Sequence, residues 1–171
     1  MAANSEDERS AQFCPEQLWQ FSLASYPAVK QLCLRWQDNY QANVNVLLAL
    51  GYAEQLSWQV SQDVLINSIQ QLAPLNQQLT QVIRYCRKQL HTLPLQASQQ
   101  LQLKQSLLHT ELVAEQCEQQ LLCDALTFTQ HTTADNLSLY LKLLGVPLST
   151  TLTTDLIDLR QTFARCAISL P

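Results

Sequence analysis

The densest group of residues that could bind a ligand lies between Trp19 and Leu48. Aromatic side chains there could form the walls of a pocket, and carboxamide and carboxylate side chains could supply its polar contacts. The candidate binding residues are Trp19, Tyr26, Trp36, Gln37, Asp38, Asn43 and Asn45. This set predicts a small-molecule site or an enzymatic pocket formed by the N-terminal helices.

A structural role for the same polar residues is the alternative. Asp38 lies near the C-terminal end of a predicted helix, where the helix dipole disfavours an anion. The next predicted helix begins a few residues later and offers free backbone N–H groups. Asp38 could cap that helix, with Gln37 and Asn45 in the same polar network. We prefer this capping role as the interpretation of the cluster.

Motifs of nucleophilic and metal-dependent catalysis do not occur in the sequence. It has no Gly-x-Ser-x-Gly, Cys-x-x-Cys or His-Glu-x-x-His. The histidines, His91, His109 and His131, have no histidine, cysteine or glutamate at a helical spacing of three or four. We therefore expect no metal, no cofactor and no catalytic residues, and we lean towards a protein that is not an enzyme.

Acidic residues occur in two further groups. Glu111, Glu115 and Glu118 follow one another along a predicted helix, and Asp155 and Asp158 lie near the start of the last one. Isolated carboxylates of this kind usually face solvent. We interpret the glutamates as a solvated helix face and Asp155 as an N-terminal cap.

The basic residues Arg84, Arg87 and Lys88 form a small cluster with His91. Such a cluster could contact the phosphates of RNA. It also lies in the last turns of a predicted helix, where cations interact favourably with the helix dipole. We prefer the helix-end interpretation and keep weak, salt-sensitive RNA binding as the least favoured alternative.

The six cysteines are expected to be reduced. Cys33, Cys86 and Cys117 each lie four residues from an apolar residue on a predicted helix, which is typical of core positions. The chain starts with an acidic, polar segment and not with a basic and apolar export signal. A cytoplasmic location, in which thiols stay reduced, is therefore the expectation.

The composition predicts an all-α fold. The 171 residues include 33 leucines and 25 glutamines, which are good helix formers, and only two glycines. The length suits one domain. We expect a disordered acidic tail over residues 1–13 and a compact helical domain over residues 14–171. We expect seven to eight helices, with three short N-terminal helices packed on a longer antiparallel helical hairpin.

Helix start and stop signals divide the chain further. The predicted helices begin or end at or near Pro15, Pro27, Ala28, Tyr40, Asn43, Ser61, Pro74, Ser98, Gln130, Asn136, Gly145, Asp155 and Ala167. Whether the segments on either side of Pro74 form one kinked helix or two is left open. Gly51, inside a predicted helix, indicates the close approach of a neighbouring helix.

Charge and hydropathy exclude some partners. A net charge of −4 argues against binding to duplex nucleic acid, which requires a basic surface. The longest apolar run is far too short to span a membrane, so no membrane partner is expected. Another protein is the expected partner, and a second copy of the chain is an alternative.

Glutamine is unusually frequent on the predicted polar faces. Uncharged amides can form hydrogen bonds across an interface without the cost of desolvating a charge. These faces favour a non-enzymatic adaptor or regulatory protein that acts through protein–protein contacts. Compositional drift would produce the same pattern, because glutamine is as good a helix former as glutamate.

The N-terminal segment carries a pattern of aromatic, aliphatic and polar residues: Trp19, Phe21, Ser22, Leu23, Tyr26, Cys33, Leu34, Gln37, Asp38, Val44, Asn45 and Leu48. In this pattern the chain resembles a proteobacterial family of small proteins, the domain of unknown function 2390 family. Trp36, Asn43 and Tyr52 depart from that pattern. The resemblance implies a bacterial, cytoplasmic protein and carries no assigned activity.

Overall fold

The computed structural model describes residues 10–168, and the fold is all-α as the composition predicts. This region contains six continuous helices, slightly fewer than the seven to eight predicted. In this count, two α-helical segments that are joined by a π-helical turn form one continuous helix. The difference arises at two prolines, neither of which ends its helix.

Helix α1 runs from Pro15 to Tyr40 as one helix, so the predicted break at Pro27 is wrong. A proline inside a helix leaves the carbonyl four residues earlier without its usual partner. Pro27 and Leu23 are both exposed, so water can satisfy that carbonyl. The buried stripe of α1 passes the proline without interruption, which lets packing against the core hold the helix together.

Helix α2, Val44–Gln55, is the most deeply buried element of the fold. The Asn43 side chain accepts a hydrogen bond from the backbone N–H of Val46 at 3.2 Å, which confirms Asn43 as the N-cap. Gly51 lets the C-terminal helix α7, Thr150–Ile168, approach closely, because a Cβ atom at this position would clash with the ring of Phe163. The close approach predicted at Gly51 is therefore confirmed.

Helices α3, Gln62–Leu75, and α4, Gln81–Gln89, are joined by the π-helical turn Asn76–Thr80. The segments on either side of Pro74 therefore form one continuous helix and not two, because the chain stays helical on both sides of the proline. Ser61 caps α3 through a hydrogen bond from Val64 N–H at 3.3 Å. A 3-10 turn, Leu90–Thr92, follows α4.

Helix α5, Ala97–Ala125, pairs with α4 as the predicted antiparallel hairpin. Arg84 contacts Glu115, whereas Leu90, six residues further along, contacts Gln100. The predicted extension of α5 to Gln130 is wrong, because the chain leaves the helix after Ala125 and forms a strand.

A two-stranded antiparallel sheet pairs β1, Trp58–Val60, with β2, Phe128–Gln130, in the register Trp58–Gln130. Asn136 braces β1: its Oδ1 accepts from Val60 N–H at 2.9 Å and its Nδ2 donates to Trp58 O at 2.7 Å. Strands of three residues are too short for apolar–polar alternation to identify them in the sequence.

Helices α6, Asn136–Leu143, and α7, Thr150–Ile168, complete the fold. Helix α7 begins before Asp155, so the predicted capping role of that residue is wrong. Ser149 caps the helix instead, through a hydrogen bond from Leu152 N–H to its Oγ at 3.1 Å.

The predicted tail, residues 1–13, lies mostly outside the described residues. Within the described part, Ala11 pairs with Phe128 as an antiparallel bridge. Phe13 is buried against Tyr52, Trp58 and Phe128. The last residues of that segment therefore belong to the core.

Candidate functional site

A cavity of about 750 Å³ opens between α1, α2, α4 and α5. Its volume lies within the ~300–1,000 Å³ range of small-molecule sites. Helices α1 and α5 both pack on α2, and the cavity lies between α1 and the α4–α5 hairpin. Exposed apolar side chains form its rim: Leu23, Tyr85, Leu108 and Leu112.

Most of the residues singled out in the sequence lie at this cavity. Those that line it are Trp19, Tyr26, Gln37, Asp38, Asn43 and Asn45. Trp36 does not line it. Its ring is fully buried in the core, and its Nε1 donates to Oδ2 of Asp155 on α7 at 3.2 Å.

The interior end of the cavity is a buried polar cluster, which we call the amide floor: Asn43, Asn45, Asn76, Glu118 and Gln119. Glu118 is only 1% exposed. Its carboxylate accepts hydrogen bonds from the side-chain amides of Asn45 at 2.8 Å, Asn76 at 2.9 Å and Asn43 at 3.3 Å. Three uncharged donors, and no cation of the described residues, thus stabilise this buried anion.

Gln119 extends the amide floor towards α1. Its Nε2 donates to Ser22 Oγ at 2.8 Å and to Asn45 Oδ1 at 3.1 Å. Its Oε1 is buried and has no hydrogen-bond partner among the described residues. An unsatisfied buried acceptor is unusual in a folded protein and costs free energy of folding.

The side of the cavity next to the floor is a network that we call the ion-pair wall: Gln37, Arg84, Arg87, Glu111 and Glu115. Arg84 donates to Glu111 at 2.8 Å, to Glu115 at 2.9 Å and to Gln37 at 3.1 Å. Arg87 donates to the second oxygen of Glu111 at 2.6 Å.

The two glutamates of the ion-pair wall have opposite pKa shifts. Burial alone would raise the pKa of Glu111, but hydrogen bonds from Arg87 and Arg84 outweigh it and lower that pKa. Burial raises the pKa of Glu115, and Arg84 opposes the rise only in part, because the negative charges of Glu111 and Glu118 add to it.

These contacts correct one interpretation made from the sequence and extend another. Glu111 and Glu118 are buried and hydrogen-bonded, and Glu115 is half-buried, so they are not a solvated helix face. Arg87 and Lys88 do lie in the last turn of α4, as predicted, but Arg84 and Arg87 are also ion-paired with Glu111 on α5. Glu111 and Glu118 are seven residues apart with Ala114 between them, so all three share one helix face. This spacing is the feature of the sequence that could have indicated their common burial.

Asp38 does not cap α2. The side chain is exposed and makes no hydrogen bond with another described residue, while Asn43 caps the helix. Gln37 and Asn45 do join polar networks, but different ones. Gln37 belongs to the ion-pair wall and Asn45 to the amide floor.

The cysteines are only partly core residues. Cys33 and Cys123 are buried, and burial raises the pKa of both thiols to about 12, which makes them poor nucleophiles. Cys86 and Cys117 are exposed, contrary to prediction. No cysteine or histidine of residues 10–168 lines the cavity.

Over residues 10–168, no three His, Cys, Asp or Glu side chains are grouped so that they could hold a metal ion. In the same region, no helix has the length and apolar character that crossing a membrane requires.

The fold and the site together define an all-α domain with a polar cavity between its helices. Comparison with known families is consistent with the resemblance noted in the sequence. The chain belongs to the family described as a protein of unknown function (DUF2390), which it matches over residues 17–122. All residues that line the cavity, from Trp19 to Gln119, lie inside that matched segment. No curated protein and no solved structure matches the chain.

Proposed function

We propose that the protein is a non-enzymatic binding protein that holds a small polar molecule in the cavity between α1, α2, α4 and α5. The observation that carries the proposal is the amide floor. Proteins rarely bury a carboxylate and a row of carboxamides beside an open cavity, because each group must be desolvated. An apolar floor would pack α2 on α5 at lower cost.

The composition of the cavity supports binding in preference to catalysis. Its polar groups are held in hydrogen bonds to one another, which pre-organises them to recognise a ligand of defined shape. Its rim carries apolar side chains beside the charged residues Lys30, Lys88 and Asp38, and its interior is polar, so that a few polar contacts inside can orient a small molecule.

A thermal-shift screen of a metabolite library tests the proposal. Leu23→Trp places a larger side chain at the rim, and Leu101→Trp is the matched control on an exposed position away from the cavity. We expect at least one compound to raise the Tm of the wild type and of Leu101→Trp but not of Leu23→Trp. Shifts that persist in Leu23→Trp, or no shift with any compound, would contradict the proposal.

Protein–protein contact is a second candidate function, and one feature favours it. The first half of α5 is almost entirely exposed, and large apolar side chains are exposed along α5, on α4 and in the π-helical turn before α4. They are Leu79, Val82, Leu101, Leu103, Leu108, Leu112 and Val113. Apolar surface of this kind is typical of a docking site for another protein.

This second candidate requires its own variant. Leu101→Gln with Leu103→Gln removes apolar surface from the hairpin, and Leu148→Gln is a control on an exposed residue outside it. We expect affinity capture from native lysate to lose its partner with the double variant and to keep it with the control. Equal capture by all three baits would contradict docking at the hairpin.

A further inference from the structure

The orientation of each amide in the floor follows from the carboxylate of Glu118. An ionised carboxylate only accepts hydrogen bonds, so the Nδ2 of Asn45 must face it and the Oδ1 must point away. That Oδ1 faces Gln119, which must therefore present its Nε2. The chain of contacts leaves Oε1 of Gln119 as the acceptor without a donor.

Reversing the Gln119 amide would not remove this deficit. It would bring two acceptor oxygens, Oε1 of Gln119 and Oδ1 of Asn45, to the 3.1 Å that now separates donor and acceptor. The hydrogen-bond network of the floor thus lacks one N–H or O–H donor, and Gln119 lies at the cavity from which a ligand could supply it.

The charges of the cavity interior are also unbalanced. The side chains of the amide floor and the ion-pair wall include three carboxylates, Glu111, Glu115 and Glu118, against two guanidinium groups, Arg84 and Arg87. With all five ionised, the interior carries one excess negative charge. Glu118 has no ion-pair partner among residues 10–168, and its three amide donors leave room for a fourth hydrogen bond.

The remaining charged residues of the cavity lie at its mouth. Lys30, Lys88 and Asp38 are exposed, so water screens them more than the interior groups. Half-buried aromatic rings, Trp19 and Tyr26, line the cavity between mouth and floor. Aromatic faces beside a carboxylate provide favourable electrostatics for an organic cation.

We infer that the ligand of this cavity is an organic ammonium ion, an amine that carries at least one N–H group. The inference rests on the proposed function and names its ligand class. The ammonium group supplies the missing donor to Gln119 and the missing positive charge beside Glu118. A water molecule could supply the donor but not the charge.

Three probes of one shape separate the ligand classes: benzylamine, benzyl alcohol and benzoate. The readout is the indole N–H signals of the three tryptophans in ¹⁵N NMR spectra, assigned with Trp19→Phe. Trp19 reports the cavity, while Trp36 is buried in the core away from it. We expect benzylamine to shift the Trp19 signal saturably, to leave the Trp36 signal in place, and to bind more tightly than the other two probes.

Charge-removing variants locate the cation. Glu118→Gln should weaken benzylamine binding at least about tenfold, which is the loss expected when a charged hydrogen-bond partner is removed. Glu115→Gln, on a half-buried residue, is a second variant in case Glu118→Gln does not fold. Glu16→Gln removes the same charge from an exposed position outside the cavity and should change the affinity less than about twofold.

The outcomes separate the ligand class from the proposed function. Tighter binding of benzoate or benzyl alcohol at Trp19 would overturn the ammonium inference and keep the cavity as a binding site. An equal loss with Glu16→Gln would also overturn it. A Trp19 signal that none of the probes moves would overturn the inference, and the library screen with Leu23→Trp then decides the proposed function separately.

Discussion

Asn45 on α2 donates a hydrogen bond from Nδ2 to Oε2 of Glu118 on α5 at 2.8 Å, and both side chains are buried. The contact joins residues that are 73 positions apart in the chain. It ties the central helix to the long helix of the hairpin at the bottom of the cavity. The same hydrogen bond therefore serves both the packing of the core and the shape of the candidate site.

Asn45 and Asp38 should differ sharply in their contribution to stability. Asn45→Ala removes a donor to a buried carboxylate, so we expect the free energy of unfolding to fall by about 2–3 kcal/mol. Asp38→Ala removes an exposed side chain without a hydrogen-bond partner in the described region, so we expect a change within about 0.5 kcal/mol. Urea unfolding measures both. A large loss with Asp38→Ala would restore the capping role that the sequence suggested.

Arg84 should be the most sensitive residue of the ion-pair wall. Arg84→Met leaves Glu111 and Glu115 without a shared cation, so we expect a loss of about 2–4 kcal/mol in urea unfolding. Arg84→Lys should recover little of it, because an ammonium group cannot reproduce the three directions of the guanidinium contacts.

Arg35 provides the matched control for Arg84. It pairs with Asp155 at 2.6 Å, but its side chain is 49% exposed. Exposed ion pairs contribute little, so Arg35→Met should cost less than about 1 kcal/mol. Equal losses for Arg84→Met and Arg35→Met would show that the ion-pair wall adds no net stability.

Gly51 should tolerate no side chain. Gly51→Ala places a methyl group against the Phe163 ring, and we expect overpacking to cost about 1–3 kcal/mol. In the double variant with Phe163→Leu, the loss should be smaller than the sum of the single losses, since the smaller side chain relieves the contact. Thermal unfolding of the four proteins gives the coupling energy.

Gly145 serves as a comparison, because its constraint is conformational. Its φ is +71°, and no atom of residues 10–168 lies within 4 Å of the position that an added Cβ would occupy. Gly145→Ala should therefore cost about 1 kcal/mol through backbone strain alone, and Phe163→Leu should not relieve it. If Phe163→Leu also reduced the loss of stability caused by Gly145→Ala, this would argue against the steric explanation for Gly51.

The pH dependence of stability should report the raised pKa of Glu115. Because the folded protein raises this pKa above its ordinary value of 4.5, the native state binds more protons than the unfolded state in the window above 4.5. Glu115 thus lowers stability progressively as the pH rises from 4.5 through the raised pKa. Glu115→Gln should gain stability relative to the wild type across that window.

The counterpart of this measurement is Glu111, whose pKa is lowered. Its stabilising contribution is present above the ordinary carboxyl value and is lost as the pH falls through the lowered pKa. Glu111→Gln should therefore lose most, relative to the wild type, near neutral pH and least in strong acid. Urea unfolding over a pH series checks both directions, and parallel curves for all three proteins would contradict the two pKa shifts.

The helical class, several helix ends and the region of the cavity were predictable from the sequence. Asn43 and Ser61 cap helices through contacts within four residues, so local residue types suffice to identify them. The predicted approach of another helix to Gly51 also follows from a local rule, since glycine inside a helix is unfavourable unless space requires it.

The prolines and the short strands were not predictable from local rules. Pro27 lies inside one helix because the residues around it bury a continuous stripe against the core. The strands β1 and β2 are stabilised from distant parts of the chain: Asn136 hydrogen-bonds to β1, and the ring of Phe13 packs on Trp58 and Phe128. Tertiary contacts outweighed the local preference in both cases.

The sequence alone determined which residues of each helix share a face, because that depends only on the helical period. It did not determine which face would be buried. The polar face of α5 with Glu111 and Glu118 lies inside because Asn45, Asn76 and Arg84 meet it there. A buried charge is stable only with its partners in place, and those partners converge only in the folded chain.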